Sequence, residues 1–229
     1  QAEDGIRDVE RSRGLGDVYK RQLLCCGSCT VQTALADSEE GFVSLFNGKD
    51  LTNWAGAIET YIVEDGKIVS LKHEAGNIYT LDDYGDFILR FEFKLTPRAN
   101  NGIGIRTPLA SHASIDGMEI QVIDNTAEQY KNLKPYQYHG SIYGVVPAKR
   151  GYLKPVGQWN CQEIIARGRQ IKVILNGVTI VDADIIKAST PKAMDGKKHP
   201  GLKREKGRIG LLGHRSRVEF RNIRVKELK

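Results

Sequence analysis

The chain has 229 residues and a formal net charge of +6 at pH 7. Its 40% hydrophobic and 27% charged residues are typical of a globular protein, and no stretch approaches the ~18 consecutive apolar residues of a membrane-spanning helix, so no integral membrane segment is predicted. The length fits one β-sandwich or two very small domains, and only the pattern along the chain distinguishes them.

Residues 1–36 are predicted to be a leader outside the folded domain. Residues 1–22 are polar, lack a sustained hydrophobic period and resemble translated sequencing-adapter sequence. The remainder resembles a truncated signal peptide, with positive charge at Lys20-Arg21, a weakly apolar region at 23–31 and a small-residue cleavage site at Ala34-Leu35-Ala36. We therefore expect a secreted or periplasmic protein.

The mature protein is expected to begin near Asp37, and lipid attachment at Cys26 or Cys29 is the alternative use of the leader. Three of the four cysteines lie in the leader, which leaves Cys161 as the thiol of the mature domain. A disulfide scaffold is therefore excluded. Because Cys161 lies in a strand-like run, we predict a small buried hydrophobic residue rather than a nucleophile.

From Gly41 onward, short strands separated by turn signals predict an all-β fold, with two packed antiparallel sheets in one domain of residues 37–229. The clearest strand, residues 87–95, alternates apolar and mostly polar side chains. Asn176-Gly177 lies between two β-branched runs and predicts a hairpin with a type I′ turn. Residues 184–188 are a candidate for a short helix.

Residues 100–106 predict a strand with little side chain on one face. Its two isoleucines enter the core, so Gly102, Gly104 and Arg106 share the opposite face and form a bare backbone floor that ends in a guanidinium. Glycine weakens a strand, and a ligand that approaches the backbone closely would explain its use here. A bulge or a sheet crossing explains the glycines equally well.

Along residues 118–124 the apolar side chains point one way, so Glu119 and Gln121 project together, about 6.6 Å apart, onto the opposite face. Close to Arg106, this pair is suited to hydrogen-bonding sugar hydroxyls; an ordinary solvated strand face is the alternative. A conventional glycoside hydrolase needs two carboxyls about 5–9.5 Å apart. Glu119 and Asp124 fail this test on an extended strand, because five residues span about 16 Å and an odd separation puts them on opposite faces.

Residues 130–143 are predicted to form a loop that folds over one face of the sandwich. The segment holds four of the nine tyrosines together with His139-Gly140, and Pro135 interrupts it. Aromatic rings with polar tips suit a half-wet site, where they stack on the apolar face of a pyranose. A loop held in place by its own tyrosines is the alternative.

The basic stretch 197–206 contains proline and glycine and has no aromatic residue. It therefore predicts a solvated surface loop, since proline and glycine disfavour a helix or a central strand. Nucleic-acid binding would need basic residues interleaved with aromatic ones, so no nucleic-acid partner is expected.

Seven short motifs, taken together, resemble the 3-keto-disaccharide hydrolase family. They occur in the family's order across residues 41–228. The motifs are GFVSLFNGKDLTNW (41–54), NNGIGIR (100–106), GMEIQ (117–121), YQYHGSIYG (136–144), GQWN (157–160), LNG (175–177) and FRNIR (220–224). The resemblance implies a concanavalin A-like jelly roll, an exported bacterial protein and action on glycosides oxidised at C3.

A carbonyl at C3 acidifies the proton on C2, so a general base removes it, an enolate forms and the group on C1 leaves by β-elimination before water adds back. The resemblance implies Glu119 or His139 as the base, with His214 or Tyr143 at the leaving oxygen. Arg106 is expected to stabilise the enolate, and a divalent metal ion held by Glu119, His139 or His214 is the alternative. The implied substrate-binding residues are Arg106, Gln121, Tyr138, Tyr143 and Trp159.

The expected partner is thus a carbohydrate, and two other functions stay open. One is a non-catalytic carbohydrate-binding module, and the other is a conventional two-carboxylate glycoside hydrolase. Jelly rolls carry both binding modules and enzymes, so the fold alone does not choose between them.

Overall fold

The alternation predicted for residues 87–95 is present in the computed structural model, which describes residues 40–229. The odd-numbered side chains of this strand are buried, and the even-numbered ones are partly exposed. The predicted leader of residues 1–36, with its export signal and its candidate lipid-attachment cysteines, lies outside the described residues.

Thirteen strands and two short helices form most of the regular structure of residues 40–229. The helices are α1 (Ala113–Asp116) and α2 (Ile185–Ala188). The strands are β1 (Val43–Ser44), β2 (Trp54–Gly56), β3 (Tyr61–Glu64), β4 (Lys67–Ser70), β5 (Ala75–Thr80), β6 (Phe87–Leu95), β7 (Asn100–Thr107), β8 (Met118–Ile123), β9 (Trp159–Arg167), β10 (Gln170–Leu175), β11 (Val178–Asp184), β12 (Arg208–His214) and β13 (Val218–Glu227). In this part of the chain no helix is long and apolar enough to cross a membrane.

The strands form two sheets in which every pair is antiparallel. The larger sheet has eight strands in the order β11-β10-β9-β6-β13-β4-β3, with β1 also paired to β13. The smaller sheet has five strands in the order β2-β5-β12-β7-β8.

The core lies between the two sheets, because each sheet buries one apolar face. The larger sheet contributes Phe87, Phe93 and Phe220, and the smaller sheet contributes Ile103 and Met118, all of them fully buried. The predicted all-β, two-sheet antiparallel sandwich is therefore confirmed.

Two local predictions are also confirmed. Asn176 and Gly177, with φ of 50° and 84°, form the tight turn between β10 and β11, as a type I′ hairpin requires. At the start of α2, the Asp184 carboxylate accepts hydrogen bonds from the backbone N–H groups of Ile186 and Lys187 at 3.0 and 3.1 Å. This N-cap explains why so short a helix begins there.

The prediction for Cys161 is wrong, because its side chain is exposed. Strand β9 turns Asn160 and Gln162 into the core, so Cys161 between them faces outward. Alternation along the strand, rather than the hydrophobicity of the thiol, decides its position.

The basic stretch 197–206 is only in part a solvated loop. Its lysines and Arg204 are exposed, but His199, Gly201 and Leu202 are buried. The His199 Nδ1–H donates to the backbone oxygen of Ser114 at 2.7 Å. The stretch therefore supports α1 from outside the sandwich.

Candidate active site

Strand pairing places Glu119 and Gln121 on the outer face of the smaller sheet. Glu119 pairs with Gly104 across β7 and β8, and Gln121 pairs with Gly102. Directly paired residues project to the same face of a sheet. The isoleucines between them on both strands face the core, so all four positions face outward, as the alternation predicts.

Strands β5 and β12 add further residues to this face. These strands are far from β8 in the sequence, so no local pattern predicts that they lie beside it. Tyr79 pairs with Gly210, and Asn77 pairs with Leu212. His214 ends β12 two residues further on, so it lies on the same face. Tyr79 and Asn77 thus lie on the candidate face, and no pattern in the sequence predicts them there.

Two glycines leave room for side chains of the neighbouring strands. A Cβ atom at Gly102 would lie 2.5 Å from Glu119 Oε1, and one at Gly210 would lie 2.6 Å from the Tyr79 ring. Glu119 therefore reaches across β7 and Tyr79 reaches across β12. The bare floor expected at Gly102 is thus covered by a carboxyl group of the protein itself.

The Glu119 carboxyl group is the most perturbed acid on this face. Its side chain is 9% exposed, and its Oε1 lies 3.9 Å from His214 Nε2. Burial raises the pKa of Glu119 to about 7, because the charged form loses its hydration. The His214 side chain is 51% exposed, so the pair opens to solvent on the histidine side.

His112 lies close enough to His214 to affect it electrostatically, and no sequence pattern predicts this proximity. Burial lowers the pKa of His214 below its ordinary 6.5, and the electrostatic influence of His112 lowers it further. His112 immediately precedes α1, whose first residue, Ala113, packs against Tyr79 and Leu212 on the same face. A residue in an irregular segment has no periodicity, so only the folded packing reveals this neighbour.

Gln121 is held rigidly beside Glu119. Its side chain is buried, and its Nε2–H donates to Asn100 Oδ1 at 3.0 Å. Its Oε1 is buried without a hydrogen-bond partner among the described residues. An unpartnered buried oxygen is costly, so this atom is a candidate acceptor for a ligand hydroxyl.

The tyrosine-rich segment brings Tyr143 to the site. Ile142 bridges to Ile120 at the edge of β8, and the Tyr143 N–H donates to the backbone oxygen of Glu119 at 2.9 Å. Tyr143 therefore projects to the same face as Glu119. Its hydroxyl accepts a hydrogen bond from Gln137 Nε2 at 2.9 Å, and the Tyr136 ring lies edge-on at 6.1 Å.

Arg106 does not reach this site, and the expectation that it faces Glu119 is wrong. The pairing of β7 with β12 shifts register at this point, and Arg106 takes a φ of 49°, so alternation is broken. The guanidinium donates instead to the backbone oxygens of Gly85 and Gly168, at 3.0 and 2.7 Å, and to Asp86 Oδ1 at 2.9 Å. It joins segments at one end of the sandwich.

His139 also lies away from Glu119, inside the core. Its ring stacks on Phe93 with 5.0 Å between centroids, and its Nε2 lies 2.9 Å from Gln162 Oε1. Burial lowers the pKa of His139 to about 4. Both contacts are with inward-facing residues of the larger sheet, so the structure does not bring this expected base to the outer face of the smaller one.

Tyr138 and Trp159, which were expected to bind substrate, are placed elsewhere too. The Tyr138 hydroxyl donates to the backbone oxygen of Lys131 at 3.0 Å, and the Arg150 guanidinium covers its ring at 3.7 Å. Trp159 lies on the outer face of the larger sheet, under the charged ends of Lys94 and Arg221 at 5.2 and 4.0 Å.

The alternative of a divalent metal ion held by Glu119, His139 or His214 loses one of its donors, because His139 faces the core. Within residues 40–229, no group of three or more His, Cys, Asp and Glu side chains is arranged to hold a metal ion. Glu119 and His214 by themselves supply two donors.

Two cavities open elsewhere on the surface. One, of about 500 Å³, is lined by Arg106, Asp86 and the basic stretch around Lys203. The other, of about 740 Å³, lies near Asp124 and Arg150. Neither is lined by a titratable group as strongly perturbed as Glu119, so the outer face of the smaller sheet is the candidate active site.

The fold is a jelly roll. On the outer face of one of its sheets, a buried carboxylic acid and a histidine lie next to each other. Such a pair is suited to moving a proton to and from a ligand that lies on that face. The chain belongs to the family of the 3-keto-alpha-glucoside-1,2-lyase-like domain, whose model matches residues 41–226.

Individual relatives agree with this assignment. A curated 3-keto-disaccharide hydrolase from Bacteroides thetaiotaomicron is 24% identical, with 82% of this chain and 79% of the relative covered. The crystal structure of a candidate glycosyl hydrolase from Parabacteroides distasonis is 33% identical, has a TM-score of 0.72 and covers 82% of this chain and 99% of its own. A carbohydrate-binding module from Bacillus subtilis, 13% identical with a TM-score of 0.51 over 77% of this chain and 96% of its own, shares the fold alone.

Proposed function

We propose that this protein cleaves glycosides oxidised at C3, with Glu119 and His214 as its acid–base pair. The observation that carries the proposal is the buried Glu119 carboxyl, whose pKa of about 7 is combined with a histidine 3.9 Å away. A general base is most effective when its pKa lies near the operating pH. An ordinary surface glutamate would be a far weaker base.

In the proposed reaction, the Glu119 carboxylate takes the proton from C2. The C–H electron pair forms a C2–C3 double bond, and the carbonyl π pair moves to the C3 oxygen to give an enolate. The carbonyl then re-forms, a C1–C2 double bond appears and the C1–O bond breaks, while His214 gives a proton to the leaving oxygen. Water that adds its hydroxyl to C1 and its proton to C2 completes a hydrolysis.

The active form of the pair is the one that holds a single proton. When a second proton binds, Glu119 can no longer act as the base. When the last proton leaves, His214 can no longer act as the acid. In the reactive arrangement that proton lies on His214 and Glu119 is ionised. Because the pKa of Glu119 is raised and the pKa of His214 is lowered, Glu119 holds the proton in most singly protonated pairs, and the reactive arrangement is the less populated of the two.

Substrate contacts are proposed for the two residues that flank Glu119. The buried, unpartnered Oε1 of Gln121 would accept a hydrogen bond from a sugar hydroxyl. Tyr143, braced edge-on by Tyr136, would pack against the sugar ring.

The family and its curated relative support the oxidised substrate, because their names refer to a 3-keto glucoside and a 3-keto disaccharide. The predicted export signal supports action outside the cytoplasm. A conventional hydrolase is less well supported, because Asp124, the carboxyl considered as partner, accepts hydrogen bonds from the backbone of Arg98 and Thr126 at 2.9 Å each. The Asp124 carboxylate therefore stabilises a turn of the backbone instead of facing Glu119 as a second catalytic carboxyl group.

The test compares release of nitrophenol by the full chain from 4-nitrophenyl glucoside and from its 3-keto derivative. We expect release from the oxidised glycoside only. Glu119→Gln should lower this rate by about 10²-fold or more, as expected when a general base is removed. His214→Asn should lower by a similar factor the cleavage of an alkyl 3-keto glucoside, whose leaving oxygen needs a proton, and should affect nitrophenol release much less.

Glu163→Gln is the matched control, because Glu163 lies on the outer face of the larger sheet, ion-paired with Arg90. It should retain the full rate. Equal release from the unoxidised glucoside would point to a conventional hydrolase. Binding of the 3-keto glycoside without turnover, unchanged in Glu119→Gln, would point to a binding module.

A further inference from the structure

The proposed reaction needs a group that stabilises the enolate, and the residue expected in that role is not available. The guanidinium of Arg106 is occupied by the backbone oxygens of Gly85 and Gly168 and by Asp86. A hydrogen-bond donor close to Glu119 would supply the stabilisation that Arg106 does not.

Tyr79 is placed where such a donor is needed. Its ring lies across Gly210 on β12, whereas the Glu119 carboxyl group lies across Gly102 on β7. Because β12 and β7 are neighbours, the two side chains extend toward each other from opposite sides. Between them, Leu212 on β12 pairs with Gly102 and contacts the Tyr79 ring.

The electrostatics agree with this placement. Burial raises the pKa of Tyr79, the hydrogen bond from Asn77 opposes the rise, and the negative charge of Glu119 adds to it. The phenol therefore keeps its proton at the pH where Glu119 titrates, and it lies within electrostatic reach of the carboxylate.

The hydrogen bonding of Tyr79 leaves its proton unused. The phenol oxygen accepts from Asn77 Nδ2 at 3.2 Å. No acceptor for the O–H itself is present among residues 40–229. A hydroxyl that accepts one hydrogen bond becomes a better donor in a second one.

We propose that the Tyr79 O–H donates a hydrogen bond to the C3 oxygen of the substrate and stabilises the enolate that forms there. This inference rests on the proposed function. When Glu119 takes the C2 proton, the electron pair of that bond becomes the C2–C3 π bond and the carbonyl pair moves to O3. Tyr79 keeps its proton covalently bound, and the hydrogen bond strengthens as negative charge grows on O3.

The burial of Tyr79 favours this role. The residue is 2% exposed, so its O–H is screened from competing water. Hydrogen bonds to a developing oxyanion are worth more where water is excluded and the donor is already fixed in place. The ring is fixed by Leu212 and Ala113, and the hydroxyl by Asn77.

The test is Tyr79→Phe in the full chain, which removes the O–H and keeps the ring. We expect kcat on a 3-keto glycoside to fall by about 10²- to 10³-fold, as for loss of one oxyanion donor. KM should change by less than about threefold, because the interaction is strongest in the transition state. Exchange of the C2 hydrogen of a 3-keto sugar with D₂O, followed by NMR, should slow in parallel with kcat.

Tyr61→Phe is the matched control. Tyr61 is also a buried tyrosine of the sandwich, but its hydroxyl donates to the backbone oxygen of Leu211 at 2.9 Å. Its loss should lower the unfolding temperature and leave kcat and the C2 exchange unchanged. A merely structural Tyr79 would show this same pattern.

Full kcat and full C2 exchange in Tyr79→Phe would overturn the role of Tyr79 and leave the proposed function standing. A wild-type chain that neither cleaves 3-keto glycosides nor exchanges their C2 hydrogen would overturn both. Loss of turnover in Tyr79→Phe with rapid C2 exchange retained would also contradict the proposal, because enolate formation would then not depend on the phenol.

Discussion

At the scale of single residues, the burial that perturbs the Glu119 carboxyl group also lowers the stability of the folded protein. The pKa of the Glu119 carboxyl group rises to about 7 because the group is buried where it packs over Gly102 on β7. A buried carboxylate loses hydration that His214, its ion-pair partner at 3.9 Å, replaces only in part. Such a position is common in active sites and rare elsewhere.

Glu119→Gln is therefore expected to stabilise the folded protein above pH 7. Between pH 4.5, the ordinary pKa, and about 7, the folded state keeps the Glu119 proton that the unfolded chain loses. Stability of the wild type thus falls as pH rises through this window and stays lower above it. At 1.36 kcal/mol per pKa unit, the difference amounts to at most about 3 kcal/mol.

Urea unfolding of both proteins at pH 5 and pH 8 measures this effect. The advantage of Glu119→Gln over the wild type should be larger at pH 8 than at pH 5. Equal differences at the two pH values would show that Glu119 titrates normally and would weaken its role as the base.

His139 makes the opposite contribution, because its pKa is lowered from 6.5 to about 4 by burial. As pH falls from 6.5 to 4, the unfolded chain binds a proton that the folded state does not, so stability falls. The loss reaches at most about 3 kcal/mol. In His139→Gln, the free energy of unfolding measured with urea should fall less steeply between pH 6.5 and 4. The kcat of the folded protein should be unchanged. A large loss of kcat would restore His139 as the base.

At the scale of elements, the contact between β7 and β8 controls where the Glu119 carboxyl group lies. Gly102 is required because a Cβ atom there would lie 2.5 Å from Glu119 Oε1. The carboxyl end of a glutamate side chain is flexible, so a larger residue would displace it rather than disrupt the sheet.

Gly102→Ala is expected to lower kcat by about 10-fold or more, because misplacing a catalytic group by about 1 Å is that costly. Its unfolding temperature should change little. Gly85→Ala is the control: its Cβ would meet the backbone oxygen of Glu205 at 3.3 Å, away from Glu119. Unchanged kinetics in Gly102→Ala would show that the position of the carboxyl group is not critical.

Strand alternation predicts some of these elements from sequence and fails at others for identifiable reasons. It correctly places Glu119 and Gln121 on one face, because β8 is regular along its length. It fails at Arg106, because a register shift and a positive φ interrupt β7. It offers nothing for His139, because the segment around it follows no regular period.

At the scale of the whole molecule, the two outer faces of the sandwich serve different purposes. The outer face of the larger sheet carries ion pairs and stacked cations, including those that cover Trp159. The outer face of the smaller sheet carries the glycines, the perturbed acid and the phenol. The sequence does not indicate which outer face carries the site, because the local patterns around Trp159 and Glu119 are equally compatible with a binding residue.

The fold itself was predictable because both sheets bury one face, which leaves a period of two in the longest strands. The strand order was not. Tyr79 meets Gly210 only because β12 lies between β5 and β7, a pairing across about half of the chain that no turn or spacing specifies. Tyr79 and Asn77 could be found only from the folded structure.

The central claim is that the C2–H bond of a 3-keto glycoside breaks before the glycosidic bond does. The most direct test uses a 3-keto glucoside labelled with deuterium at C2, incubated with the full chain in ordinary water and analysed by mass spectrometry. We predict that the sugar product has lost its deuterium, and that Glu119→Gln prevents both the loss and the cleavage. A cleaved sugar that retains its C2 deuterium would contradict the claim.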